Sequence, residues 1–176
     1  MEQNEFWAII ENSLKAGDVE GQVELLLTEL GKLSLEEIVS FDFIFRQLHE
    51  DAYKWDLWAA AYTIQGGCSD DGFIDFRAWL ITRGKEVFDK ALQNSDSLAE
   101  LGREKLEESE EAEDFFYVTA EAYEEVSGEE GKDIEDDPKW DDVEFKEVPV
   151  GEEWDEENLD ELKARNPEIF KLFWKQ

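Results

Sequence analysis

The sequence predicts an all-α fold: a single multi-helix domain of about six or seven helices with an acidic, partly irregular C-terminal extension. Apolar residues recur at every third or fourth position through the first hundred residues, which is the period of an amphipathic helix. Glycines and capping residues divide these stripes into segments of helical length. Hydrophobic residues form 41% of the 176-residue chain, which is enough for one core. We therefore place the helical domain at residues 1–103 and the extension at residues 104–176.

Three helices are predicted in the first fifty residues. The first spans about residues 4–17 and the second about residues 18–31, and a glycine ends each of them. The third begins at Ser34, which can form a capping box with Glu37 three residues later. Its apolar stripe is continuous and consists of Ile38, Phe41, Phe45 and Leu48.

The fourth helix, about residues 54–66, is predicted to be central because aromatic residues line one of its faces. Trp55, Trp58 and Tyr62 follow one another at spacings that place them on a common face. A Gly-Gly turn ends this helix, and a fifth helix follows with three large aromatic residues on one side: Phe73, Phe76 and Trp79. We expect the two aromatic sets to be largely buried against each other. A sixth helix should close near Asn94.

The extension carries fewer helix signals. A stripe within residues 111–127 predicts one more helix. Residues 128–154 show no sustained period, although the alternation at residues 143–148 would suit an edge strand or an extended arm. The last segment could form one helix, or two short helices interrupted near Pro167.

Charge is the most unusual property of the chain. Its 48 acidic and 17 basic residues give a formal charge of −31. Residues 1–103 hold twenty acidic and nine basic residues, whereas residues 104–160 hold 26 acidic and four basic residues. Such a charge repels nucleic-acid backbones and anionic membranes and attracts basic proteins. We therefore expect a basic protein partner and no direct binding to nucleic acid or membrane.

Two tryptophans of the extension are candidate partner-binding residues. Trp140 and Trp154 are surrounded by Asp and Glu, and tryptophan is over-represented among the residues that dominate binding energy. In the alternative, both side chains pack back onto the helical domain.

A second group of candidate residues, for a ligand or a partner, surrounds the Gly66-Gly67 turn. Ser69, Asp70 and Asp71 stand at the start of the fifth helix, and Arg77 follows one to two turns later. Carboxylates and a guanidinium could therefore gather at one helix end. In the alternative, the first three residues cap the helix and complement its dipole, while Arg77 pairs with a neighbouring helix.

Asp56 and Cys68 complete this second group. Asp56 lies in an apolar segment, so we expect a buried carboxylate that pairs with Arg77 or Arg46; in the alternative it is a general base with a raised pKa. Cys68 precedes a helix N-terminus, which could lower the pKa of its thiol; in the alternative it is a small buried thiol. The single histidine, His49, is expected at the surface of a polar helix end.

No metal and no cofactor is predicted. One cysteine and one histidine cannot form a disulfide within the chain or a usual structural zinc site. Acidic residues at positions 133–144 follow the spacing of a calcium loop, but Pro138 stands where such a loop requires glycine.

The sequence favours a cytoplasmic location. No stretch approaches the roughly 18 consecutive apolar residues of a membrane span. The first residues also lack the basic start and apolar stretch of a signal peptide.

Three adjacent blocks resemble the bacterial family called domain of unknown function 4240. They read WDLWAAAY at 55–62, GGCSDDGF at 66–73 and DFRAWL at 75–80, and the resemblance extends over about residues 4–96. It implies a small helical domain with no agreed catalytic residues. Some members are labelled by association with regulators of molybdenum metabolism or with WGR-type domains, which implies a regulatory accessory domain as one alternative.

Three hypotheses for function follow. The first is a non-enzymatic acidic protein-interaction module that binds a basic partner, as acidic immunity proteins and nucleic-acid mimics do; it rests on charge and on missing catalytic groups. The second is an enzyme or small-ligand-binding domain that uses the Asp and Arg residues near the Gly66-Gly67 turn. The third is the regulatory accessory domain that the resemblance implies.

Overall fold

The computed structural model describes residues 1–129 and 131–174. Ten α-helices follow one another in this part of the chain: α1 (Gln3–Ser13), α2 (Val19–Leu30), α3 (Leu35–Asp51), α4 (Trp55–Gln65), α5 (Asp70–Thr82), α6 (Lys85–Gln93), α7 (Arg103–Glu107), α8 (Asp114–Ser127), α9 (Leu159–Arg165) and α10 (Pro167–Phe173). The all-α class is therefore confirmed, whereas the predicted number of six or seven helices is too low. Helices α7, α9 and α10 have only five to seven residues each, which is too short for a clear periodic pattern.

Local capping chemistry fixes several helix ends at the predicted places. Ser34 and Glu37 bond reciprocally at the start of α3. Ser69 accepts a hydrogen bond from the backbone N–H of Gly72 at 3.2 Å and so caps α5. At the end of α4, Gly66 adopts a φ of +69°, a left-handed conformation that glycine tolerates best.

One cluster of buried side chains joins helices α1 to α8 and includes Ile169 of α10. Its largest fully buried members are aromatic: Phe6, Phe41, Phe45, Phe73, Phe76, Trp79, Phe88 and Phe115. The cluster draws on both sides of residue 103, where we placed the end of the helical domain. Among the described helices, the combination of length and apolarity that a membrane span requires does not occur.

Helix α4 turns a different face to this core from the one predicted. Its buried stripe consists of small and aliphatic residues: Leu57, Ala60, Ala61 and Ile64. The aromatic residues Trp55, Trp58 and Tyr62 are half-buried, so the expectation that they lie largely inside is met only in part. The three aromatic residues of α5 that were expected to contact them are fully buried: Phe73, Phe76 and Trp79. The small alanine face allows α4 to approach the core closely, which leaves the bulky rings at its margin.

The first part of the extension lies along α3. Lys139 donates through Nζ to the hydroxyl of Ser40 at 2.9 Å, and the backbone N–H of Lys146 donates to the carboxylate of Glu50 at 2.8 Å. Two apolar side chains of this segment are buried: Ile134 and Val143. Most of the described residues between 128 and 154 have no regular secondary structure apart from two short 3-10 helices, Ile134–Asp136 and Pro138–Asp142, but the segment packs on the helices.

The alternation at residues 143–148 does not form a strand. Instead, Val150 makes an isolated parallel bridge with Lys54. The backbone N–H of Val150 donates to Tyr53 at 2.9 Å, and that of Trp55 donates back to Val150 at 3.0 Å. Because Lys54 is an extended residue at the corner between two helices, this pairing ends after one bridge.

Candidate functional site

A pocket of about 480 Å³ lies between α4 and the turn at residues 153–156. Four half-buried aromatic side chains line it: Trp55, Trp58, Tyr62 and Trp154. Three exposed carboxylates line it as well: Glu153, Asp155 and Glu156. We call this site the aromatic pocket. It combines flat apolar surfaces with uncompensated negative charge.

The wall on α4 is ordered by stacking and by one hydrogen bond. Trp55 stacks on Trp58 with 5.3 Å between ring centroids, and Trp58 stacks on the buried Phe73 at 4.8 Å. The indole N–H of Trp58 donates to the backbone carbonyl of Cys68 at 3.0 Å. Phe73 and the carbonyl of Cys68 therefore hold Trp58 in place, and Trp58 in turn supports Trp55.

The opposite wall is held by Arg165 of α9. Its guanidinium pairs with Asp56 at 2.7 Å and donates to the carbonyl of Glu153 at 3.2 Å. Trp154 packs edge-to-face on Tyr62, with 4.8 Å between centroids. The expectation for Asp56 is therefore corrected: its carboxylate is exposed and pairs with Arg165, because it stands on the outer side of the first turn of α4.

Cys68 also lines the pocket, but its thiol is not activated. Burial raises its pKa to about 12, and the neighbouring Asp75 and Asp70 act in the same direction. The proposed lowering by the helix dipole is outweighed by these effects. His49 is buried rather than exposed, because α5 and Phe116 cover it. Its Nε2 hydrogen-bonds to the carbonyl of Ile74 at 3.0 Å, and burial holds its pKa well below the usual range.

The raised pKa of Cys68 predicts slow alkylation. At pH 8 its reaction with iodoacetamide should be on the order of 100-fold slower than that of a capped Gly-Gly-Cys-Ser peptide, because the thiolate is the reacting form. The rate should keep rising above pH 9, where the peptide thiol is already ionised. Mass spectrometry of the native protein and of the peptide measures the two alkylation rates. Equal rates at pH 8 would contradict the raised pKa of Cys68.

The remaining predicted residues occupy two separate places. Ser69 caps α5, and Asp70 and Asp71 are exposed in its first turn. Arg77 is buried and turned towards α3, where it pairs with Glu50 at 3.6 Å. The structure therefore brings Cys68 to the aromatic pocket and leaves Arg77 inside the protein.

Two arginines of the interior are enclosed by aromatic rings and a carboxylate. Arg46 lies 4.2 Å from the ring centroid of Phe116 and 5.1 Å from that of Trp140, and Asp42 binds it at 3.3 Å. The indole N–H of Trp140 also donates to Asp42 at 3.0 Å. Trp140 thus packs back onto α3, the alternative that we set against partner binding.

The second enclosed arginine is Arg77. Its guanidinium lies 4.5 Å from the ring centroid of Tyr53 and 5.1 Å from that of Phe73, and its carboxylate partner is Glu50. It also donates to the carbonyl of His49 at 3.0 Å. Burial lowers its pKa to about 10, so it remains charged at neutral pH.

The acidic surface of the extension is neutralised by its own lysines only to a small extent, since residues 104–160 hold 26 acidic and four basic residues. Within residues 104–160, every described Asp and Glu except Glu108 and Asp137 is exposed. The four lysines are directed to nearby groups of the chain. Lys105 pairs with Glu108 at 2.7 Å, and Lys132 with Glu129 at 3.5 Å. Lys139 donates to Ser40, and the ammonium of Lys146 donates to the backbone carbonyl of Glu50.

The aromatic pocket was not predicted from the sequence. Trp55, Trp58 and Tyr62 carry a core-like spacing, and Glu153 and Glu156 are two of many acidic residues. These residues come together because the backbone of Val150 pairs with Tyr53 and Trp55, which brings the turn at residues 153–156 to α4. Among residues 1–129 and 131–174, no three His, Cys, Asp or Glu side chains are grouped as a metal site requires.

These features define an all-helical protein with an acidic, uncompensated surface and a pocket of aromatic and carboxylate groups. The chain belongs to the family described as Protein of unknown function (DUF4240), which it matches over residues 1–125. The match extends beyond the blocks around α4 and α5 and takes in α7 and most of α8. Comparisons with curated proteins and with solved structures found no match.

Proposed function

We propose that this protein is a non-enzymatic interaction module that binds a basic protein partner. The observation that carries the proposal is the surface of residues 104–160, where nearly all described carboxylates face solvent while the four lysines contact other groups of the chain. A field of this kind steers oppositely charged proteins to the surface and repels nucleic acids and anionic membranes. We propose the cytoplasm as the location of this encounter.

The alternative of an enzyme near the Gly66-Gly67 turn has less support. Arg77 pairs with Glu50 on the side of α3, away from Asp70 and Asp71 in the first turn of α5. Cys68 is protonated at neutral pH because of its raised pKa, so it is a poor nucleophile. The interaction proposal needs neither group.

A pull-down from nuclease-treated cytoplasmic extract tests this function. The tagged full-length chain should capture a basic protein at low salt, and capture should weaken as salt is raised. The reason is screening: the Debye length falls from about 10 Å at 0.1 M to about 3 Å at 1 M ionic strength. Mass spectrometry identifies the captured protein, and its isoelectric point gives its charge.

Beads that carry polyglutamate are the control for unspecific attraction. A partner of the proposed kind is enriched on the folded chain relative to these beads. Recovery of the same set of proteins on both kinds of bead, or capture that does not respond to salt, would show that the acidic surface is only solvated.

A further inference from the structure

We propose that the aromatic pocket binds an arginine side chain of the basic partner. The tryptophan rings contact one side of its guanidinium, and the carboxylates of Glu153 and Glu156 contact the other side. This inference rests on the proposed function and assigns it a point of contact. It is carried by the pocket's composition and by the way this same chain already holds its own arginines.

The protein encloses two arginines with the same chemistry that lines the pocket. Arg46 lies near the rings of Phe116 and Trp140 with Asp42 as its carboxylate, and Arg77 lies over the rings of Tyr53 and Phe73 with Glu50. A guanidinium suits such a place because it is planar, weakly hydrated and attracted to the faces of aromatic rings. These two sites are intramolecular examples of the binding mode that we propose.

The aromatic pocket repeats this composition at the surface. Its four rings and three carboxylates face a volume of about 480 Å³, which is in the range of pockets that bind small ligands. In the described part of the chain, no lysine or arginine lies over these four rings. Arg165 is engaged by Asp56, Glu161 and the carbonyl of Glu153. The chain therefore presents a binding surface for a cation from outside.

Arginine is favoured over lysine by the shape of the lining. Trp55 and Trp58 are stacked with 10° between their planes, and Trp58 also stacks on Phe73, so the flat surface that this stack offers to a guanidinium is the outer face of Trp55. A planar guanidinium can stack on such a surface and still donate hydrogen bonds at its edge, whereas a lysine ammonium is a compact, strongly hydrated charge. Glu153 and Glu156 supply acceptors at the rim.

Titration of the full-length protein with short capped peptides, followed by NMR, tests the assignment. The peptides are Gly-Gly-Arg-Gly-Gly and two analogues with lysine or citrulline at the centre; citrulline has nearly the shape of arginine without its charge. The arginine peptide should shift the indole N–H signals of Trp55 and Trp154. The signal of Trp140 should not move, because Arg46 already covers its ring. Replacement of each tryptophan by phenylalanine assigns the signals.

Two charge-matched double variants separate the pocket from general acidity. Glu153→Gln with Glu156→Gln removes two pocket carboxylates, and Glu121→Gln with Glu125→Gln removes two exposed carboxylates of α8. The first pair should weaken binding of the arginine peptide roughly tenfold, since each exposed ion pair contributes a factor of up to about five to affinity. The second pair should weaken it less than about twofold. All four side chains are exposed, so both variants should stay folded, which circular dichroism checks.

The outcomes distinguish the two proposals. Equal losses in both double variants, equal shifts of all indole signals, or equal binding of the citrulline peptide would overturn the pocket while leaving the salt-dependent capture of a basic protein intact. Equal binding of the lysine peptide would overturn the assignment to arginine. Failure of the pull-down together with a positive peptide titration would instead remove the proposed function.

Discussion

Replacement of Asp42 by alanine is expected to lower the free energy of unfolding by about 3–5 kcal/mol, the usual cost of leaving one partner of a buried ion pair uncompensated. The Asp42 carboxylate is almost inaccessible to solvent, with 1% of the residue exposed. It accepts hydrogen bonds from Arg46, from the hydroxyl of Thr119 and from the indole of Trp140. Removing it leaves the buried guanidinium of Arg46 without its carboxylate and two polar groups without an acceptor.

A double variant provides the sharper test of this pair. Asp42→Ala combined with Arg46→Met removes both charges, so it should be less destabilised than Asp42→Ala alone. Asp56→Ala is the matched control, because Asp56 pairs with Arg165 through an exposed carboxylate; its cost should not exceed about 1 kcal/mol. Urea unfolding followed by circular dichroism measures all four proteins. A cost below about 1 kcal/mol for Asp42→Ala would show that its network contributes little.

The contrast between Asp42 and Asp56 shows where the sequence is informative and where it is not. The i, i+4 spacing of Asp42 and Arg46 is visible along α3, but so are many other charge pairs in this chain. Burial of this pair depends on Trp140, which stands 98 residues away. Asp56, in contrast, has apolar neighbours in the sequence and yet faces solvent, because the first turn of a helix has an outer side.

Local signals predicted the secondary structure well where they are strong. Ser34 with Glu37 marks the start of α3, and Gly66 marks the end of α4, because caps depend on residues within one turn. Helix α7 was not predicted, since five residues cannot show a period. Pro167 was compatible with one helix or two, and the structure has two.

The candidate site could not be derived from periodicity because α4 is apolar on two sides. One stripe is aromatic and the other is composed of alanine and aliphatic residues, and both have helical spacing. Because the aromatic side chains are larger, we predicted that their stripe faces the core. The close packing of α4 favours the smaller stripe instead, and the rings then remain available at the margin of the fold. The turn that completes the pocket comes from about a hundred residues later, at Trp154.

Trp79→Ala is expected to lower the free energy of unfolding by about 3–5 kcal/mol, whereas Trp55→Ala should cost roughly 1 kcal/mol. Both changes remove the same side chain, so the difference in cost reflects mainly how deeply each ring is buried. Trp79 is completely buried against Phe76, with 5.5 Å between ring centroids, and its removal leaves a cavity. Trp55 is half-buried on the margin of α4, and water can replace its ring. Urea unfolding with equal m-values gives both costs. If Trp55→Ala were the more destabilising change, α4 would turn its aromatic face to the core, and the aromatic pocket would not exist as described.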